Sequence, residues 1–289
     1  MKTFDTPQPI NASIDIAMGA VRIAAHETAT TTVDVRPSDD SNDEDVWAAE
    51  QTRIELTHDR LEVRGPKFRF SWLGRSGGGS VDVEISMPTG SHLDGAAGAG
   101  SFDADGRLGD CRLKTGVGQI RLDEVGTLSA KSGAGKIVVE RANGQVEITA
   151  GSGAVRIGEI EGIALIKNSN GDTWIGEAHR DVRIKAANGS IAIEHVHADV
   201  SATSANGSVR LGEVERGSVV LETAIGDLEV GIPDGVAAWI DANATAGTVR
   251  NTLESSAAPD ASTEVVEVRA RTTVGEILIS RPHQTGATS

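Results

Sequence analysis

The chain has 289 residues, a formal net charge of −15, 34 glycines and only 3% aromatic residues, with no tyrosine. With 42 acidic against 27 basic side chains and no cluster of Lys and Arg, its surface repels phosphate, so nucleic acid and anionic membrane are poor partners. No run of apolar residues is long enough for a spanning helix, which excludes membrane insertion, and the single cysteine, Cys111, allows no intrachain disulfide.

The opening residues show no charged segment followed by an apolar run, so a cytoplasmic location is expected. Residues 13–23 and 30–35 alternate apolar and polar side chains, the period of a strand with one buried face. A polar stretch follows, and Asp43–Gln51 reads as a short helix capped by acidic residues. Arg53–Thr57 and residues 60–63 read as a hairpin about His58-Asp59. Residues 74–80 form a glycine-rich loop before a further strand at 81–87. Within that loop Gly74-Arg75-Ser76-Gly77-Gly78 fits the Gly-x-Ser-x-Gly pattern. That pattern makes a nucleophile only on a strand-to-helix turn of a hydrolase sheet, so a loop is the better reading.

From residue 93 the chain repeats. Glycine anchors stand at Gly100, Gly118, Gly135, Gly153, Gly171, Gly189, Gly207, Gly226 and Gly247, successive differences being 18, 17, 18, 18, 18, 18, 19 and 21, with a late copy at Gly275. Two residues after the anchors lie Phe102, Ile120, Ile137, Val155, Thr173, Ile191 and Val209, and seven before lie Leu93, Cys111, Leu128, Val146, Val182 and Val200. A third apolar column, seven after, holds Val125, Ala142, Ile160, Ala178, Val196 and Val214. Three inward stretches per period describe a roughly triangular coil, and like columns pack on like when each coil advances by one strand spacing, ~4.8 Å. No proline falls between Pro88 and Pro233, as expected where backbone groups are committed to ladders on both sides. Asn170, Asn188 and Asn206 precede their anchors and stand one coil apart, positioned for a side-chain amide ladder.

The predicted fold is therefore all-β, a single-stranded β-solenoid (β-helix) with coils of about 18 residues and an irregular β-rich N-terminal cap. Residues 1–92 form the cap, continuous with the solenoid; 93–251 form coils, 252–264 a loop insertion, 265–282 a final coil and 283–289 a disordered tail.

Gly19-Ala20-Val21-Arg22-Ile23, the step Met87-Pro88-Thr89-Gly90 and its echo Ile232-Pro233-Asp234-Gly235, together with the coils, resemble the bacterial putative-adhesin family, a domain of unknown function. The resemblance covers nearly the whole chain and implies a single-stranded β-helix with no established activity.

Two groups of side chains stand out. Six and eight residues after successive anchors come Glu159 and Glu161, Glu177 and His179, His195 and His197, Glu213 and Glu215, all flanking the buried third column. Glu177, His179, His195 and His197 have the donor types for zinc. The competing and favoured reading is a solvated ridge in which histidines relieve stacked carboxylates. Trp174 and Trp239 occupy outward positions suited to partner contact, or to cover by a neighbouring loop. Cys111 sits in an apolar column as an inert core residue.

No catalytic constellation or cofactor motif is present. The sequence points to a non-enzymatic scaffold or protein-interaction (adhesin-like) protein, meeting a protein partner or its own copies. A secreted surface adhesin and a metal-dependent or carbohydrate-active β-helix enzyme are the alternatives.

Overall fold

The computed structural model describes residues 1–66, 79–253 and 265–282. The 74–78 motif, nearly all of the 252–264 insertion and the 283–289 tail lie outside the described residues. The chain divides into two compact units, Met1–Gly153 and Ala154–Ser289, each a stack of parallel β-coils.

Residues one period apart pair as the spacing predicts. In the first unit Leu93 lies beside Cys111, Cys111 beside Leu128 and Leu128 beside Val146. In the second, Val155, Thr173, Ile191, Val209 and Leu228 stand in one row, and Ala164, Val182, Val200 and Val219 in another. All of these side chains are buried. Each central coil is two strands joined at the anchor glycine. The second strand bends after its fourth residue, so that Val125, Ala142, Ile160, Ala178, Val196 and Val214 also turn inward and supply the short third side.

The anchor corner admits only glycine, for two reasons. Gly189 has φ of 130°, a conformation L side chains rarely adopt, and a Cβ there would lie 2.3 Å from the carbonyl oxygen of Gly171 in the coil below. Beside this corner a buried polar column runs through the core. Thr115 donates to the Gly100 carbonyl at 2.9 Å, Thr223 to Gly207 at 3.0 Å and Thr272 to Gly226 at 3.0 Å. Each hydroxyl satisfies itself on the anchor carbonyl of the coil it stacks upon, so a polar atom enters the core without an unmet hydrogen bond. On the outside of the corner the asparagine ladder forms: Asn188 donates to Asn170 at 2.8 Å and Asn206 to Asn188 at 3.0 Å.

Chain order and stacking order part company at both ends. In the first unit the strand Asn11–His26 is a full coil, inserted between the coil of Arg60–Arg64 and Ser80–Pro88 on one side and His92–Arg107 on the other. The segment 1–92 thus contributes two coils as well as the cap proper. That cap is antiparallel: Arg53–Thr57 covers Arg60–Arg64, Thr30–Pro37 covers Ser80–Pro88, and Lys2–Asp5 borders Thr30–Pro37. The helix Asp43–Gln51, capped by Asn42 and not by an acidic residue, is tied on where the Asp45 carboxylate accepts from the Ser80 amide at 2.8 Å.

In the second unit Val265–Val274 and Ile277–Ser280, the coil predicted as final, are last in the chain but not in the stack. They lie between the coil of Gly217–Gly231 and that of Ala237–Asn251. The physical reason is the same at each end: a turn carries the chain across two strand spacings, about 10 Å, and leaves a slot for another strand. Those turns are Pro88-Thr89-Gly90 and Pro233-Asp234-Gly235, with φ of 77° at Gly90 and 82° at Gly235. Ser91 is buried in the first and donates to the Pro88 carbonyl at 2.6 Å. Arg281 holds the second, donating to the Ile232 carbonyl at 3.1 Å.

Gly189→Ala is expected to cost at least about 3 kcal/mol, the upper end for one strained backbone position, since the Cβ overlap adds to the strain. Gly235→Ala should cost only about 1–2 kcal/mol, because an added Cβ there meets nothing within 4 Å. Thermal unfolding of the two variants measures the difference; equal losses would show that coil-to-coil approach is not what fixes the anchor.

Candidate functional site

The corner ridge of the second unit gathers the ionisable side chains that the repeat predicts. Glu159, Glu177, His195 and Glu213 stand in register along one column. His179, His197 and Glu215 follow in a parallel column, their amides donating to the carbonyls of Ile160, Ala178 and Val196 in the coils below at 3.0–3.1 Å. The buried residue between the columns forces its two neighbours outward, so the side chains meet on a diagonal.

His197 lies at the centre. Its Nε2 is 2.9 Å from Glu177 Oε1 and its Nδ1 2.8 Å from Glu215 Oε2. One coil below, His179 Nε2 is 3.3 Å from Glu159, 3.6 Å from Glu177 and 3.8 Å from Glu161. The two imidazoles stack face to face, with centroids 5.1 Å apart. Burial disfavours the charged form of His197, but its hydrogen bonds to Glu215 and Glu177 outweigh that cost and raise its pKa above the ordinary histidine value.

Of the four residues that the sequence groups together, Glu177, His179 and His197 converge and His195 does not. His195 points to Glu213 at 3.5 Å and is half exposed. Glu159, Glu161 and Glu215 take part in its place. Glu159 meets His179 across a diagonal offset of 20 residues, whereas Glu161 and Glu215 are lateral neighbours, 18 residues from His179 and His197.

The tryptophans separate. Trp174 is half-buried, with its Nε1 donating to Glu194 at 3.2 Å and the Arg156 guanidinium 4.2 Å above its ring. It is spent on its own surface. Trp239 is 71% exposed on the end coil. Other outward arginines meet acids on adjoining coils, Arg121 with Asp103 at 3.2 Å and Arg210 with Glu229 at 3.6 Å.

Parallel coils, a glycine-anchored corner and inward apolar columns define a β-solenoid repeat protein. The chain belongs to the Toastrack DUF4097 family, whose profile matches residues 11–286. It is similar to a putative adhesin from Parabacteroides merdae, at 14% identity over 95% of this chain and 94% of that one, with a TM-score of 0.45. A putative adhesin from Parabacteroides distasonis is 12% identical over 96% and 95%, with a TM-score of 0.46. Among curated proteins none matches. Among the described residues no helix is long and apolar enough to cross a membrane.

Cys111 tests the core assignment. Burial, with a lesser push from Asp110, drives its thiol up to about 12. In the folded chain it should resist alkylation at neutral pH and react promptly once denaturant is added, as mass spectrometry of timed samples will show.

Proposed function

We propose that the chain is a non-enzymatic binding scaffold that self-associates through its open end coil, Ala237–Asn251. The observation behind this reading is that the coil carries the inward apolar pattern yet buries none of it. Ile240 and Val249 occupy the same columns as the buried Val268 and Ile277 of the adjoining coil, but Ile240 is half-exposed and Val249 is 44% exposed. Among the described residues its strands pair on one side only, which leaves a ladder edge facing outward.

A second copy of the chain suits this surface best. Asp241 and Arg250 are the only ionisable residues of the coil, so it is locally neutral in a chain of net charge −15, and like-charge repulsion does not oppose contact there. Trp239 adds a large exposed ring beside the edge. In the first unit the coil of Arg60–Arg64 and Ser80–Pro88 is covered by the antiparallel strands Arg53–Thr57 and Thr30–Pro37. That edge is then covered within the chain, and an association through the remaining edge closes as a two-fold pair of like surfaces.

Sedimentation of the full chain over micromolar concentrations should show a dimer. Trp239→Glu should shift it to monomer with an unchanged circular dichroism spectrum, whereas Val117→Glu, at an exposed site in the first unit, should leave the dimer intact. A wild-type chain that stays monomeric throughout, or a dimer indifferent to both Trp239→Glu and Val249→Glu, would refute the reading.

A further inference from the structure

The corner ridge of the second unit has a property that a solvated charge row does not need: its donor atoms are aimed at one point. Glu177 Oε1, His179 Nε2 and His197 Nε2 all lie within 4.8 Å of one another. Two of the three separations are 2.9 Å and 3.6 Å, both measured to Glu177 Oε1. A tetrahedral zinc with bonds of 2.0–2.1 Å holds neighbouring ligand atoms about 3.3 Å apart, so the observed spacings bracket what such an ion requires.

We propose that Glu177, His179 and His197 form a binding site for a divalent transition-metal cation of the zinc type, with Glu215 as the residue that orients His197.

The role of Glu215 follows from the ring geometry. Without metal both ring nitrogens of His197 donate, Nδ1 to Glu215 at 2.8 Å and Nε2 to Glu177 at 2.9 Å; a cation beside Glu177 would replace the Nε2 proton while the Nδ1 hydrogen bond to Glu215 keeps the ring in place. A carboxylate behind a ligating imidazole is the usual second partner of a metal-bound histidine. Glu159 and Glu161, grouped with His179 on its other side, keep the surroundings anionic and can complete the coordination. With the imidazoles neutral, Glu159, Glu161, Glu177 and Glu215 leave an excess of negative charge that a dication offsets.

The choice of cation follows from donor chemistry. Two imidazoles favour zinc, cobalt, nickel or copper over calcium and magnesium, which take oxygen ligands. The side chain of His197 is 18% exposed and that of His179 31%, so the ligands are partly shielded while one side stays open to water or to a ligand atom from a partner. The repeat itself explains how such a site arises. Every coil offers the same two outward positions around a buried one, and three substitutions in adjoining coils suffice to bring donors together.

Calorimetric titration of chelator-treated, untagged full-length chain with zinc chloride tests the proposal. One equivalent should bind per chain, and cobalt(II) at the same site should give the visible absorption of a four-coordinate ion. His197→Gln and Glu177→Gln should each weaken zinc binding by a hundredfold or more. Glu215→Gln should weaken it by about 10–100-fold, the usual effect of losing such an orienting partner. His195→Gln, outside the cluster, should leave it unchanged. If His197→Gln disturbs the fold, as circular dichroism will reveal, Glu215→Gln alone decides, since that carboxylate is half exposed. Weak binding of several equivalents that none of these changes alters would overturn the site. So would calcium competing as well as zinc, or His195→Gln costing as much as His197→Gln.

Discussion

Everything in this molecule depends on how closely one coil can approach the next at the anchor corner. Parallel ladders set the strand spacing, and at the corner the chain turns within that spacing, placing each anchor directly under the carbonyl of its neighbour. A Cβ on Gly207 would lie 2.0 Å from the Gly189 carbonyl oxygen, and one on Gly135 would lie 2.0 Å from that of Gly118. The hydroxyls of Thr115, Thr223 and Thr272 use the equivalent carbonyls of Gly100, Gly207 and Gly226 as acceptors. Glycine keeps the corner narrow, and where a threonine stands three positions before the anchor its hydroxyl reaches the anchor carbonyl of the coil below.

The ends obey the same spacing in a different way. A chain that only climbed would leave its first and last coils as bare sheet edges. Here the proline turns at Pro88 and Pro233 carry the chain over a slot that another segment of the chain fills, so the edge coil at each end is held by a coil that is not its sequence neighbour. Proline suits these turns because its missing amide would break a ladder anywhere else in the coil. At the first end the outermost coil is also covered by antiparallel strands and a helix. In the second unit Ala237–Asn251 is outermost among the described residues, with Ala238, Ala242 and Ala244 in the inward columns beside the buried Val266, Ala270 and Thr272.

The central coils were legible in the sequence because three separate periodicities agreed, in glycine, in the apolar columns and in asparagine. The buried hydroxyl column was not, since Thr115, Ser132, Asn168 and Ser204 are polar residues in an otherwise apolar face and read as breaks in the pattern. For Thr115 and Ser204 the explanation is the anchor carbonyl of the coil below, to which each hydroxyl donates. The inserted coils were hidden for a different reason. Residues 11–26 carry the coil pattern, with Gly19 beside Gly100, but periodic spacing reports which residues share a column and says nothing of the order in which coils are stacked. The ridge was half visible. Its residues were named from their offsets, yet sequence distance cannot tell a lateral neighbour from a diagonal one. That choice separates His197, held between Glu177 and Glu215, from His195.

The division of labour between inner and outer columns explains where specific chemistry can appear in such a fold. An inward position must match the coils above and below it in volume, so change there is resisted by packing. An outward position on a flat face has neighbours only along its row, and these are satisfied by single ion pairs such as Arg210 with Glu229. The corner differs from both. Two outward residues flank one buried residue, so each coil projects a divergent pair, and pairs from neighbouring coils cross. Crossing brings side chains from three coils to one point without a cavity, a loop or any distortion of the ladder. Where those side chains are Glu177, His179, His197 and Glu215, the rigid backbone supplies the preorganisation that a binding site otherwise takes from a built pocket.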